Sequence, residues 1–178
     1  MALTFSSLGS SAVQVTGAER SLAFFPGKAA GKDVLAFFAL PAEEPPKNTI
    51  SWPGEYNIAG VSIRGVGQKE GQHVSYGMEV DGVRAAFIAA PFEEWTDHEI
   101  ELLGEVDVLV LPNDNPKIAQ KLIDELDPRL LVLVPNADGK FDSELLRSCG
   151  ATGKEHVKDF KLKGSFSAEG REVVVLEG

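Results

Sequence analysis

Apolar residues alternate with polar ones through the first half of the chain, and the spacing drifts toward 3.6 after residue 92. A period of two places successive side chains on opposite faces of a strand, whereas the longer period lays a stripe along a helix. Residues 11–16 and 21–25 read as a hairpin turning near Gly17-Ala18, and 33–39 as a buried strand. Residues 40–48 hold Pro41, Pro45 and Pro46 with Glu43 and Glu44, a composition that prevents helix. Trp52-Pro53-Gly54-Glu55-Tyr56 marks a tight turn, with short strands expected at 61–66 and 73–80. The glycines of 65–71 miss the spacing of a phosphate loop and read as a flexible hairpin end.

Asp81-Gly82 is a strong hairpin signal in front of an apolar run at 83–89. Thr96 and Glu99 form a capping box for a short helix that Gly104 can close. Residues 107–112 and 130–134 are near-continuous apolar runs, as expected of strands covered on both faces. Between them, Asn115-Pro116 opens a helix with Ile118, Leu122, Ile123 and Leu126 on one stripe, stopped by Asp127-Pro128. Residues 142–149 make a last helix ending at Gly150, and 173–176 return to strand. Many strands with few, late helices predict an α/β (α+β) domain of two packed sheets with helices on outer faces. The loop Ala89-Ala90-Pro91-Phe92 leaves a buried strand end, where chemistry commonly sits, yet it carries only methyls, a proline ring and a phenyl.

Composition narrows the role. With 178 residues, 43% of them hydrophobic, the chain suits one domain over 1–178. Its net charge of −10 with no Lys/Arg cluster disfavours nucleic acid and anionic membranes as partners. No apolar run approaches the ~20 residues of a spanning helix. The lone Cys149 excludes an internal disulfide and fits a reducing, cytoplasmic location.

Several motifs together resemble the metallo-β-lactamase superfamily, in its short hydrolase-like branch. They are Leu8-Gly9-Ser10-Ser11, Pro26, and Pro53-Gly54-Glu55-Tyr56 followed by Gly60-Val61-Ser62-Ile63-Arg64-Gly65. Glu79-Val80-Asp81-Gly82-Val83-Arg84, the helix from Thr96, and Val106-Asp107-Val108-Leu109 closing on Pro112 continue the match. The resemblance implies an αββα sandwich of two mixed sheets with a metal site at one edge. The proline-rich segment 40–48 implies a reduced helical layer on the N-terminal side.

The ligands that this resemblance calls for are missing. The family's His-x-His-x-Asp-His falls at residues 39–44, its strand-end His-x-Gly-Asp on Phe87-Ile88-Ala89-Ala90, and its late Pro-x-His near Pro135-Asn136-Ala137. Ser10 stands where the branch has a histidine, and Phe25-Pro26 where it has Asp-Pro. The vacated positions are therefore Ser10, Ala39, Pro41, Phe87, Ala90 and Ala137. A hydrolytic zinc needs about three nitrogen or carboxylate ligands and an open position, and these residues offer none. Glu43, Glu44 and Glu93 are the one alternative set, suited to a weakly bound divalent cation, although a solvated acidic loop is the simpler reading of them. His73, His98 and His156 lie at no ligand spacing and read as solvated, and Cys149 as a buried structural thiol. Phe37, Phe38, Phe87, Phe92 and Trp95 are expected to fill the vacated pocket.

The expectation is a non-catalytic protein of this fold, without cofactor, acting through binding or self-assembly. A homo-oligomer is expected to form through the N-terminal half, with Phe37 or Phe38 near the contact. The alternatives are a hydrolase rebuilt on carboxylates and a metal-free module for a small ligand.

Overall fold

The alternation along the early strands is what joins the two sheets of the molecule. A computed structural model describes residues 2–27, 31–166 and 168–178. In chain order the elements are β1 (Ala2–Gly9), β2 (Ala12–Thr16), β3 (Ser21–Phe24), β4 (Val34–Phe37) and β5 (Thr49–Ile50). Next come β6 (Gly54–Ile58), β7 (Val61–Gln68), β8 (His73–Val80), β9 (Val83–Phe87), α1 (Asp97–Leu103) and β10 (Val108–Pro112). The chain ends with α2 (Pro116–Leu126), β11 (Leu130–Val134), α3 (Ser143–Ser148), β12 (His156–Val157), β13 (Asp159–Lys163) and β14 (Glu172–Leu176).

The first sheet has the order β13-β1-β2-β3-β4-β5, and the second β12-β14-β11-β10-β9-β8-β7-β6. In the second, β6 to β9 form an antiparallel meander, and β9, β10, β11 and β14 run parallel. One feature ties the ends of the chain together: β1 pairs with β2 on one side and with the late β13 on the other.

Phe5, Val15, Leu22, Phe24 and Phe37 project from the first sheet onto Ile63, Tyr76, Phe87, Val110 and Val132 of the second, and all are buried. The far side of the second sheet forms a separate core with the helices: Ala86, Leu109, Leu131 and Leu133 meet Ile118, Leu122, Ile123 and Leu145. Strands β10 and β11, covered on both faces, are accordingly buried at every position. The caps match their sequence signals. Thr96 and Glu99 exchange both capping-box bonds, the Asn115 side chain accepts from Lys117 and Ile118 amides, and Asp142 caps α3.

All three helices pack on the second sheet, so the outer face of the first carries no helix among the described residues. The helical layer reduced in the sequence reading is thus absent there among the described residues. That face is not a broad apolar surface. Its β2 positions include Gln14 and an exposed Thr16, and Ala23 and Ala36 lie fully buried among their neighbours.

The structure departs from the sequence reading in several places. Strands β1, β5, β12 and β13 were not anticipated, because they are short or carry polar and charged residues at alternate positions. Residues 52–56 are not a tight turn: the turn is confined to 52–53, and Gly54 begins β6. Gly65 and Gly67 are not a flexible hairpin end but lie inside β7, whose turn to β8 falls at 69–72. No helix among the described residues is long and apolar enough to cross a membrane.

Candidate functional site

Strands β9, β10 and β11 are parallel neighbours, so their C-terminal ends open at one edge of the second sheet. The loops that follow them, at 88–94, 113–115 and 135–140, form one rim there. Residues 38–42, leaving β4, reach the same rim through β8. The Val74 amide donates to Ala39 O at 2.8 Å, and the Tyr76 hydroxyl lies 2.7 Å from Phe38 O and 3.2 Å from Ile50 O. The turn after β1 joins from the far side, where the Ser11 amide donates to Pro135 O at 3.1 Å.

Four buried polar side chains hold these loops. Ser51, Gln68, His73 and Ser75 are the polar residues in the interior among those described, and each bonds a loop at the rim. His73 Nε2 lies 3.1 Å from Ala89 O, which requires the proton on that nitrogen, and Ser75 Oγ accepts from the Ala89 amide at 3.0 Å. Gln68 Nε2 donates to Glu94 O at 3.0 Å, and Ser51 Oγ accepts from the Ala42 amide at 3.1 Å. The Trp52 indole adds a bond to Ala42 O at 3.0 Å. Leaving the buried Ala89 amide or carbonyl unpaired would cost about 1–3 kcal/mol, which fixes the loop after β9. His73 is therefore not solvated, as the sequence reading had it. Alternation alone did not reveal this: His73, Ser75, Gly77 and the exposed Glu79 share one face of β8, and the apolar Val74, Tyr76, Met78 and Val80 share the other. His98 and His156 are exposed, the latter edge-on to Phe141 at 5.4 Å.

Ala39, Phe87 and Ala90 stand around the start of β8, and Ser10 and Ala137 belong to the loops at the β11 end. None brings an imidazole or carboxylate. Glu43 and Glu44 are exposed, while Glu93 is held by Lys69 at 2.7 Å. Among the described residues no three His, Cys, Asp or Glu side chains gather as a metal site. The side chains at the positions that the resemblance would assign to metal ligands do not fit a zinc ion.

The expected aromatic filling is divided among three places. Phe87 stacks on Phe24 at 3.6 Å, Phe24 on Phe37 at 4.7 Å, and Tyr76 meets Phe37 edge-on at 5.2 Å, all inside the sandwich. Phe92 and Trp95 lie on the opposite side of the second sheet, in the helical core, where Trp95 Nε1 has no partner among the described residues. Phe38 alone is half-exposed. It lines an apolar groove of about 440 Å³ with Phe25, Pro26, Leu40, Pro45 and Pro46. Leu40 is 69% exposed and Trp52 46%, so two of the most exposed large apolar residues flank this groove.

Burial pushes the Tyr76 phenol well above its ordinary value. It also pushes the Cys149 thiol up to about 11, with Arg171 opposing, so that thiol is neutral and inert at physiological pH.

No protein-family model matches this chain, and no curated protein does. Solved structures do. A proposed Zn-dependent hydrolase of the metallo-β-lactamase superfamily from Thermotoga maritima superposes with a TM-score of 0.77 at 19% identity, covering 98% of each chain. Igni18, a metallo hydrolase from Ignicoccus hospitalis, gives 0.63 at 12% identity, covering 93% of this chain and 100% of its own. The metallo-β-lactamase fold protein YhfI from Bacillus subtilis gives 0.64 at 10% identity, with 99% and 97% covered. The chain has the metallo-β-lactamase fold.

Proposed function

We propose that this chain is a non-catalytic metallo-β-lactamase-fold protein that acts through binding or self-assembly. The observation that carries the reading is chemical. The loops at the rim are pinned by His73, Ser75, Gln68 and Ser51, but their ligand positions are filled by Ala39, Pro41, Phe87, Ala90 and Ala137. The one buried imidazole there is already committed to a main-chain carbonyl. Among the described residues the rim keeps its order and gathers no three side chains that could hold a metal for assisted hydrolysis. A cytoplasmic location suits the single free thiol.

The test is elemental analysis of protein purified without chelator, alongside an esterase and phosphodiesterase screen. Absence of stoichiometric metal and of turnover is expected. Metal-dependent turnover lost in a Glu43→Gln/Glu44→Gln double variant would overturn the reading in favour of a rebuilt carboxylate site.

A second reading, a metal-free module for a small apolar ligand, is favoured by the groove under Phe38. Its volume falls within the range of ligand pockets, and its lining is almost wholly apolar. Binding of an apolar fluorescent probe, weakened in Phe38→Asp, is the expected result.

A further inference from the structure

The two sheets end in four edges among the described residues, and three of them are guarded. Strands β5 and β12 are two residues long. Along β13, Asp159, Lys161 and Lys163 are all exposed, and charged side chains on an edge oppose pairing with another chain. The fourth edge, β6, is five residues long, contains no proline, and pairs with β7 without a register shift. Its one charge, Glu55, is already matched by Arg64 across the hairpin.

The direction of its free main-chain groups follows from the hairpin. Ala59-Gly60 is a two-residue loop with φ of 49° and 80°, so Ile58 and Val61 form a hydrogen-bonded pair. Tyr56 with Ile63 and Gly54 with Gly65 are then also bonded pairs. Glu55 and Asn57, which alternate with them, turn their N–H and C=O groups toward the open side. No strand takes them up among the described residues.

We propose that two copies of this chain pair through β6, antiparallel and centred on Tyr56, so that the second sheet runs unbroken across the dimer. This deepens the self-assembly arm of the proposed function by naming its surface. The register is set by the number of pairs the strand can form and by charge. Centring on Tyr56 places Glu55 opposite Asn57 of the second copy at both ends, giving two hydrogen-bonded pairs and four main-chain bonds. Centring on Glu55 would oppose two carboxylates, and centring on Asn57 would set Glu55 against Ala59 in the turn, which disfavours both alternatives. In the chosen register the half-exposed Trp52 falls beside the Ala59-Gly60 tip of the second copy, and the contact buries its ring. The Tyr56 side chains meet as a close pair on the core face and extend the apolar layer between the sheets.

The test is the mass in solution at tens of micromolar by light scattering and sedimentation. A dimer is expected for the natural chain. Asn57→Pro removes an outward N–H that β7 does not use, so the variant should run as a folded monomer. Two surface substitutions read the register without risk to the fold. Asn57→Glu opposes Glu55 and should weaken the dimer, whereas Asn57→Lys should tighten it, each by roughly five-fold in Kd at low salt. A natural chain that stays monomeric overturns the proposal. So does a dimer indifferent to all three substitutions, or one that Glu and Lys shift in the same direction. A β6 dimer that hydrolyses esters would leave this inference standing and remove the non-catalytic reading.

Discussion

The ring of Pro53 occupies the space that a side chain at residue 67 would need: a methyl added to Gly67 would fall 2.7 Å from Pro53 Cγ and 3.1 Å from the Gly71 main chain. Gly65 is nearly as confined, with Trp52 O at 3.1 Å and Pro53 Cα at 3.3 Å. The two glycines of β7 exist so that the linker between the sheets can lie against bare backbone. Gly67→Ala should therefore cost about 1–3 kcal/mol through overpacking, read as a lower urea midpoint at unchanged m-value. A variant as stable as the natural chain would show that the linker moves aside freely.

The Tyr76 hydroxyl supplies one proton to two carbonyls, those of Phe38 and Ile50, and so holds β4 and β5 to the second sheet. Tyr76→Phe keeps the ring contacts with Phe37 and Phe24 and removes only the donor. A loss of about 1–2 kcal/mol is expected, with faster amide exchange confined to residues 38–42. Uniformly faster exchange would point to general destabilisation instead.

Alkaline pH should loosen the fold in a defined window. The Cys149 thiol, ordinarily near 9, is raised to about 11 by burial, so the folded state holds a proton that the unfolded chain releases. Its stabilisation is complete below pH 9 and is lost as pH rises toward 11, roughly 2–3 kcal/mol in all. Tyr76, raised by burial, adds to the loss above pH 10 in the same direction. Urea midpoints at successive pH values check this, and Cys149→Ala should flatten the part between 9 and 11.

Chelators should leave stability untouched. In a metal-holding protein, binding contributes to folding free energy by linkage. In this chain the rim is held by the Ser75, His73 and Gln68 bonds and by the Phe24, Phe37 and Phe87 stack. Melting curves with and without EDTA should superimpose, and a shift of several degrees would contradict that.

The neighbouring phenylalanines of the first sheet should separate cleanly on substitution. Phe37 is fully buried between the sheets, so Phe37→Asp should prevent folding. Phe38 is half-exposed in the groove, and Phe38→Asp should leave a folded chain with a weakened probe site. Circular dichroism of the two variants decides the matter.

The architecture was legible wherever a local rule met no competitor. The parallel strands β10 and β11, the capping box at Thr96 and the Asn115-Pro116 start all stood in the sequence because burial on both faces and caps act over a few residues. The elements that escaped depend on partners far along the chain. Strand β13, with charges at Asp159, Lys161 and Lys163, is a strand only because β1 lies beside it, and β6 reads as a turn until β7 is placed against it. At the rim, the methyl and phenyl side chains of Ala39, Phe87 and Ala90 were readable from residues alone. The bonds of His73 and Ser75 to Ala89 were not, since they join positions that only the meander brings together.

The pairing of β1 with β13 bears on how the molecule is made. Strand β1 leaves the ribosome long before β13 and waits for it before its outer edge is covered, and closing so long a loop is slow. Until residues 159–163 arrive, Leu3 and Phe5 sit on a strand with an open ladder, the kind of edge that recruits strands from other chains. Truncation before β13 should thus give a nascent chain that aggregates rather than a smaller folded one, even though every residue of the rim would still be present.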